Sequence, residues 1–597
     1  TGSGWKYSDH VAFPFGYGLS YTTFEYGKPA FSYDEKTGTY TVTMNITNAG
    51  DKYVGKEVLQ VYLQKPYTDY DRDVSHPVEK SAVELVGFAK TDVLAPGQSQ
   101  EISVTVDEET FRTYDSYGQR TYILEKGDYY LSVGTDAHDA LNNILAAKGY
   151  TPANTDGRMD AEGDAGMTFR VTVNADDYEK YSVADTGAKI TNRFDDADLN
   201  LYEGTKDDQS ITYLSRSDWA GTYPTEGVKL KLENDRMVYD MNYGHEVPVA
   251  EDDAMPVSGE ITYEGGRLNL AMMEDLEYND PLWQNLLDQM TFEEQTWMMS
   301  YGMGFISSVA SVDAPGLKAS DGPQGVYSTK YAFPSPVMTA ATFNAPLAYT
   351  LGDAYAHEGM HAGYSMLYAP GANMHRTLYC GRNFEYYSED GFLAGKILAA
   401  QSKGIMDRGI IVLTKHFAFN DQEWNRYGLA TFFNEQSARE IYLRPFETAV
   451  RESGMNGVMS SFNRVGLTWA GAHKGLLTDV LRNEWGFIGI VETDACSATH
   501  ETPHMEDRWA LAEGLVAGND LWMARGSKTW LDDSKDNATV RLALREACHR
   551  MLYVQLHSAA MNGMNVNTRV IPITPWWQSL LTFIVIMMSV ATALSVV

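Results

Sequence analysis

The sequence predicts a multidomain chain: a β-sandwich, a small β-rich insertion, a (β/α) TIM-like barrel and a C-terminal transmembrane helix. Three textures carry this reading. Residues 25–175 hold short runs that alternate apolar and polar at period two and stop at turn residues. From Asn279 onward, helical stretches alternate with short apolar runs, the pattern of a parallel barrel. Residues 576–597 are uncharged and apolar over about one bilayer span.

In the first region TYTVTMNITNAG alternates and ends in an Asn-Ala-Gly turn, and EVLQVYLQKP is a strand stopped by Pro. SAVELVGFAKTDVLAPGQSQEISVTV reads as two strands around a Pro-Gly turn, and GDYYLSVGTD and MTFRVTVN complete the set. Together they predict a sandwich of immunoglobulin or fibronectin type. Asn143–Ala165, rich in Gly and Asp, is expected to be a long loop. Residues 176–278, with GVKLKLENDRMVYDM and GEITYEGGRLNLAMM, are expected to form a small β-domain. In 279–561 the helical stretches PLWQNLLDQMTFEEQTWMMS, GFLAGKILAAQSKGIMDRG and QSAREIYLRPFETAVRESG alternate with the apolar runs SMLYAPG, GIIVLTKH, NGVMSSFN and GIVETDA. The final helix carries a Trp pair at one edge, and Arg569 is the basic residue nearest to it, which leaves its orientation open.

A formal net charge of -33 excludes nucleic acid as an expected partner, because phosphate binding requires basic patches. A neutral polyol or sugar is compatible with such a surface. The 38 Tyr and 12 Trp suit sugar stacking, but packing in sheets explains most of them. The three cysteines, Cys380, Cys496 and Cys548, show no C-x-x-C spacing, so neither a metal site nor a disulfide scaffold is expected.

Chemistry concentrates in two places. Ile411–Arg426 is an apolar run that ends in Lys, His, Phe and Asn; GFIGIVETDA is an apolar run that ends in Asp494. A parallel barrel presents its chemistry at such strand ends. A carboxylate beside a Lys-His pair offers one nucleophile and several fixed donors for hydroxyl groups.

Several spaced motifs in 279–561 resemble the barrel domain of glycoside hydrolase family 3: SDGPQG, APGANMHR, GRNFEYYSED, KHFAFNDQE, LLTDVLRNEWGF and ETDA. FPFGYGLSYTTFEY resembles that family's junction from an α/β sandwich into a fibronectin III-like domain. The resemblance implies a permuted order: residues 1–24 as the end of an α/β sandwich domain, 25–175 as the fibronectin III-like sandwich, 176–278 as an insertion, 279–561 as the catalytic barrel and 576–597 as the membrane helix. The remainder of the α/β sandwich is then expected upstream of Thr1.

The resemblance makes Asp494 the nucleophile of a retaining mechanism; a structural Asp that caps the next helix is the alternative. The family's Ser-Asp-Trp is here Thr493-Asp494-Ala495, which removes an aromatic from the sugar site. Ser217-Asp218-Trp219 spells the same tripeptide but lacks a preceding buried strand and reads as a turn. Asp321, Arg382, Lys415 and His416 correspond to the family's ligands of sugar hydroxyls, with an Asx turn, a surface ion pair and a core His as the alternatives. Phe462 stands where members often carry Tyr, and Met459 is placed beside it in the pocket, although core packing explains Met459 and Trp424 equally well. KHF is not followed by Pro-Gly-His-Gly, so the resemblance implies the glucosidase/xylosidase type, with its acid/base Glu on the α/β sandwich; neither Glu385 nor Glu423 is assigned that role.

The expected function is that of a membrane-anchored, exo-acting, retaining β-glycosidase, foremost a β-glucosidase, at the surface of a bacterial cell. It would act on a glycoside or oligosaccharide without cofactor or metal. A β-xylosidase or α-L-arabinofuranosidase on the same scaffold, and a non-catalytic carbohydrate-binding protein, are the rivals.

Overall fold

The computed structural model describes the chain except residues 1–6, 74, 76, 156, 158, 203–210, 219–244, 330, 378–379, 496–510, 572–575 and 597. Two antiparallel sheets form the first domain. In one, β1 (Phe24–Tyr26) and β2 (Ala30–Asp34) pair with one edge of β3 (Thr39–Asn48), and β6 (Ser99–Asp107) pairs with the other. The second runs in the order β10 (Thr168–Val173), β9 (Gly127–Gly134), β4 (Val58–Gln64), β5 (Glu84–Lys90). A hairpin of β7 (Thr113–Asp115) and β8 (Thr121–Ile123) stands beside them. The alternation in β3 places Val42, Met44 and Ile46 inward, where they meet Leu59, Val61, Leu63, Val104, Leu131 and Val133.

The expected loop at 143–165 begins as a helix. Ala137–Ala147 is helical because Asp136 caps it, accepting the His138 and Asp139 N–H groups. Ala140 and Ile144 then share one buried face. Asn143 is buried as well, donating to the Val133 carbonyl and accepting from the Asp164 N–H.

Residues 176–278 differ more from expectation. Among the described residues they hold only isolated bridges and short 3-10 turns, no strand. GVKLKLENDRMVYDM and Trp219 lie outside the described residues, and Arg216–Asp218 is a turn. The reason is where the backbone polar groups go. The Arg193 and Phe194 N–H groups donate to Glu435, Phe433 N–H donates to the Ala197 carbonyl, and Gly259 and Glu260 donate to the carbonyls of Met290 and Asp288. The described residues of the segment form a strap whose backbone groups bond to the second domain and, at Asp177 and Arg216, to the first, rather than to a sheet of their own. Phe194, fully buried between Phe419 and Phe433, anchors it.

In the second domain, β11 (Phe305–Ile306) pairs antiparallel with β12 (Leu317–Asp321). From β12 the ladder continues in parallel through β13 (Met366–Tyr368), β14 (Ile411–Val412) with β15 (Thr414–Phe417), β17 (Gly457–Ser460) and β20 (Ile490–Thr493). Residues 520–524 bond to β20 on one side and to residues 302–303 on the other, and Ala319 N–H donates to the Gly304 carbonyl. The hydrogen bonds therefore close a ring of mainly parallel strands. A small sheet of β16 (Ala430–Thr431), β18 (Arg464–Val465) and β19 (Thr468–Trp469) lies at its rim.

Along each strand of the ring, alternate residues face in and out. Ala319, Met366, Tyr368, Leu413, Met459 and Ile490 fill the interior, whereas Leu367, Val412, Val458 and Val491 pack outward against helices such as Gly391–Met406 and Arg444–Ser453. A cavity of about 1660 Å³ separates the two domains and is lined by Arg112, Glu109, Arg444, Glu447 and Arg451. The helix Trp576–Val596 is uncharged, and its segment Trp576–Ser595 is long and apolar enough to cross a membrane and makes no buried contact with the rest of the chain.

Candidate active site

Parallel strands in register bring their C-terminal ends to one rim. Asp321 pairs with Tyr368, Phe417 with Ser460, and Ser460 with Thr493. Asp321, Lys415, His416 and Asp494, distant in sequence, therefore meet at that rim.

Asp494 is one residue beyond β20. Its N–H donates to the Ser460 carbonyl, and the Ala495 N–H donates to its Oδ1 at 2.7 Å. Its carboxyl lies 3.5 Å from His416 Nε2. That contact is not an ion pair. Arg382 Nη1 lies 2.8 Å from the same Nε2, and a guanidinium can only donate, so Nε2 is an acceptor. The ring proton is then on Nδ1, 3.1 Å from the Tyr386 hydroxyl. Burial, with Arg382 and Lys415 nearby, holds the His416 imidazole well below its usual range, in agreement with a neutral ring. Asp494 is pushed up by burial, and this is opposed by the Ala495 N–H and the charges of Lys415, Arg426 and Arg382.

The cations are held rigidly. Arg382 makes a two-pronged contact with Glu385, at 3.0 and 2.5 Å, which fixes the guanidinium plane. Lys415 is buried and its Nζ lies 2.6 Å from Oδ1 of Asp321, a carboxylate that is largely exposed. Asp321 also accepts the Gly322 N–H at 3.0 Å. The exposed oxygen of Asp321 and the buried ammonium beneath it form an acceptor-donor pair open to a hydroxyl-bearing ligand.

Three contributors were not read from the sequence. Asn373 clamps His416 with two bonds, donating to its carbonyl at 3.0 Å and accepting its N–H at 2.8 Å. The Tyr386 hydroxyl accepts the Nδ1 proton of the His416 tautomer that Arg382 imposes. Arg426 lies over the Phe462 ring, bonds Glu423 at 2.9 Å and contributes charge at Asp494. Asn373 and Tyr386 lie inside the motifs quoted above and Arg426 ends the 411–426 stretch, but their roles depend on distant partners.

The remaining candidates are placed as follows. Phe462 is buried against Tyr427 and Arg426 at the rim. Met459 belongs to the ring interior, so its reading as a pocket residue gives way to the core reading. Trp424 is 73% exposed. Glu385 and Glu423 are engaged by Arg382 and Arg426. Among the described residues no group of His, Cys, Asp and Glu could hold a metal ion. Cys380 and Cys548 are buried and unbridged, and Cys496 lies outside the described residues.

Comparison with known proteins follows the same division. Residues 289–546 match the glycosyl hydrolase family 3 N-terminal domain, and residues 57–137 match a fibronectin type III-like domain. Beta-glucosidase A of Butyrivibrio fibrisolvens is 29% identical over 575 residues, 89% of this chain and 61% of the relative. A beta-glucosidase of Ruminococcus albus is 29% identical over 570 residues, 93% of this chain and 54% of the relative. A beta-glucosidase of Rhizobium radiobacter is 38% identical over 259 residues, 41% of this chain and 30% of the relative. The chain thus spans less than two thirds of the length of these relatives. Among solved structures, a beta-glucosidase of Paenibacillus barengoltzii is similar in fold, with a TM-score of 0.67 at 23% identity over 94% of this chain and 58% of that one.

Proposed function

Residues 289–546 are a family 3 glycosyl hydrolase domain, and from that premise we propose that the chain provides the nucleophile and sugar pocket of a retaining, exo-acting β-glycosidase, specifically a β-glucosidase. The observation that carries the reading is Asp494 at the end of β20, with three fixed cations, Lys415, Arg382 and Arg426, acting on it. We read the closed ring as a TIM-like barrel whose C-terminal rim is the active face.

In this reading Asp494 attacks the anomeric carbon. The bond from that carbon to the leaving oxygen breaks, and the sugar becomes an ester of Asp494. Water then displaces the carboxylate and restores the starting anomeric configuration. Lys415 and Arg382 donate to sugar hydroxyls, and Asp321 accepts from one. His416 is neutral, so it orients through its hydrogen bonds without adding charge to the pocket. None of the described carboxylates is assigned as the general acid, since Glu385 and Glu423 are already engaged by arginines. Aryl glucosides, whose leaving groups need little protonation, are therefore expected to be cleaved far faster than cellobiose; equal rates would overturn that assignment.

Labelling with a 2-deoxy-2-fluoro-β-glucosyl fluoride, read by peptide mass spectrometry, tests the proposal. The expected result is a label on Asp494. Glucose binding without a label would overturn it. Lys415→Met is expected to slow labelling by about 10²–10³-fold, the usual effect of losing one fixed donor. An unchanged rate would remove Lys415 from the pocket.

Ala495 supports one second reading. Where family members stack a Trp against the sugar, this chain offers a methyl group, and Phe462 adds no hydroxyl. A nitrophenyl panel in which the xyloside or α-L-arabinofuranoside outruns the glucoside would favour that specificity. The apolar helix at 576–596 supports attachment of the domains to a membrane.

A further inference from the structure

Glu492 lies two residues before Asp494, on the same inner face of β20 and one layer below it. It is fully buried, and its Oε2 has no hydrogen-bond partner among the described residues. Its Oε1 lies 3.5 Å from the hydroxyl of Tyr368, on the inner face of β13. That hydroxyl has two further contacts. The Gly302 carbonyl, 3.2 Å away, can only accept, and the Gly304 N–H, 3.0 Å away, can only donate. A phenol has one proton, and the carbonyl takes it at the shorter distance. The contact between Tyr368 and Glu492 is then a hydrogen bond only if Glu492 supplies the proton.

The surroundings agree. Among the described residues, Tyr368 from β13 and Asp494 from β20 itself are the titratable groups that face Glu492, and Asp321 at the end of β12 acts on Tyr368. From β17 and from residues 520–524 come Met459 and Leu521, which carry no charge. Lys415, Arg426 and Arg382 act on Asp494. An ionised Glu492 would have no cation facing it among the described residues and would repel Asp494. Burial, with Asp494 adding to it, holds the Glu492 carboxyl well above the usual carboxylate range.

We propose that Glu492 is a positioning residue for the nucleophile: a neutral acid that donates to Tyr368 and ties the inner face of β20 to β13 and to the 302–304 segment beneath Asp494. This rests on the reading of Asp494 as the nucleophile. The carboxyl contributes a donor and leaves the only negative charge of the pair on Asp494.

Two variants and one spectrum test it. Glu492→Gln is neutral and keeps a donor, so fluorosugar labelling should stay within about twofold of the parent, with the acid limb of its pH profile unmoved. Glu492→Leu is neutral without a donor, and labelling should slow about tenfold or more while glucose affinity holds. Labelling as slow in Glu492→Gln as in Glu492→Leu, labelling unchanged in Glu492→Leu, or an acid limb moved to lower pH in Glu492→Gln would each overturn the proposal. The infrared carbonyl stretch of a protonated carboxyl, present near neutral pH in the parent and missing from Glu492→Gln, reads the proton without requiring turnover. If the parent takes no label on Asp494, the nucleophile assignment fails and the positioning role with it, whereas a missing infrared band overturns the neutral acid even when labelling succeeds.

Discussion

Asp494→Asn is expected to reduce turnover of an aryl β-glucoside by about 10⁴-fold or more, because an amide cannot form the glycosyl ester. The fold should tolerate the change. Asn keeps an oxygen for the Ala495 N–H, and the backbone bond to Ser460 does not involve the side chain. Burial pushes the Asp494 carboxyl up, so its anion is costly in the folded state, and the neutral amide should leave stability at neutral pH equal or higher. Glucose should still bind, since Lys415, Arg382 and Asp321 keep their partners. The pH dependence follows with a definite sign. Labelling requires the anion, so the rate falls as pH drops through the raised pKa, above the usual aspartate range. Turnover by Asp494→Asn at a tenth of the parent rate, or an acid limb below that range, would displace Asp494 from the role.

The chemistry was legible where a strand ends abruptly. The apolar runs of 411–416 and 490–494 are buried strands, and the polar residues at their ends meet at one rim. The sandwich was legible from period-two alternation, as in β3. What could not be read depends on partners far along the chain. Asn373 belongs to a recognisable motif, but its clamp on His416 exists only once the loop after β13 lies against β15. The segments at 302–306 and 520–524 are too short to signal as strands, yet they close the ring. In 259–273 the alternating residues suggest a strand, but the carbonyls of Met290 and Asp288 in the neighbouring domain take the Gly259 and Glu260 backbone donors. Met459 follows the interior pattern of β17, one residue before Ser460 at the rim.

Arg439→Met is expected to cost about 3–5 kcal/mol and to lower the melting temperature by on the order of 10 °C. Arg439 is buried with both of its acidic partners: Nε lies 2.8 Å from Glu435, and Nη1 lies 2.6 Å from Glu484. Its Nη2 donates to the Thr191 carbonyl, and Glu435 accepts the Arg193 and Phe194 N–H groups. One guanidinium therefore joins the Glu435–Ser437 helix, the helical turn at Gly475–Glu484 and the strap. Methionine fills much of the volume but takes the cation from buried Glu435 and leaves Glu484 only the longer contact with Arg193 Nε at 3.6 Å, so the loss comes from stranded charge more than from a cavity. The pH dependence separates these causes. Burial already raises Glu435 against the pull of Arg439, and removing the arginine raises it further. The folded variant then retains protons that the unfolded chain releases above the ordinary glutamate pKa. Its stability falls as pH rises through that window, more steeply than in the parent. Melting the two proteins at several pH values should show the gap narrowing toward acid, and adding Glu435→Gln and Glu484→Gln to Arg439→Met should restore part of the loss at neutral pH. A gap that is constant with pH would assign the cost to packing and exclude stranded charge as the cause.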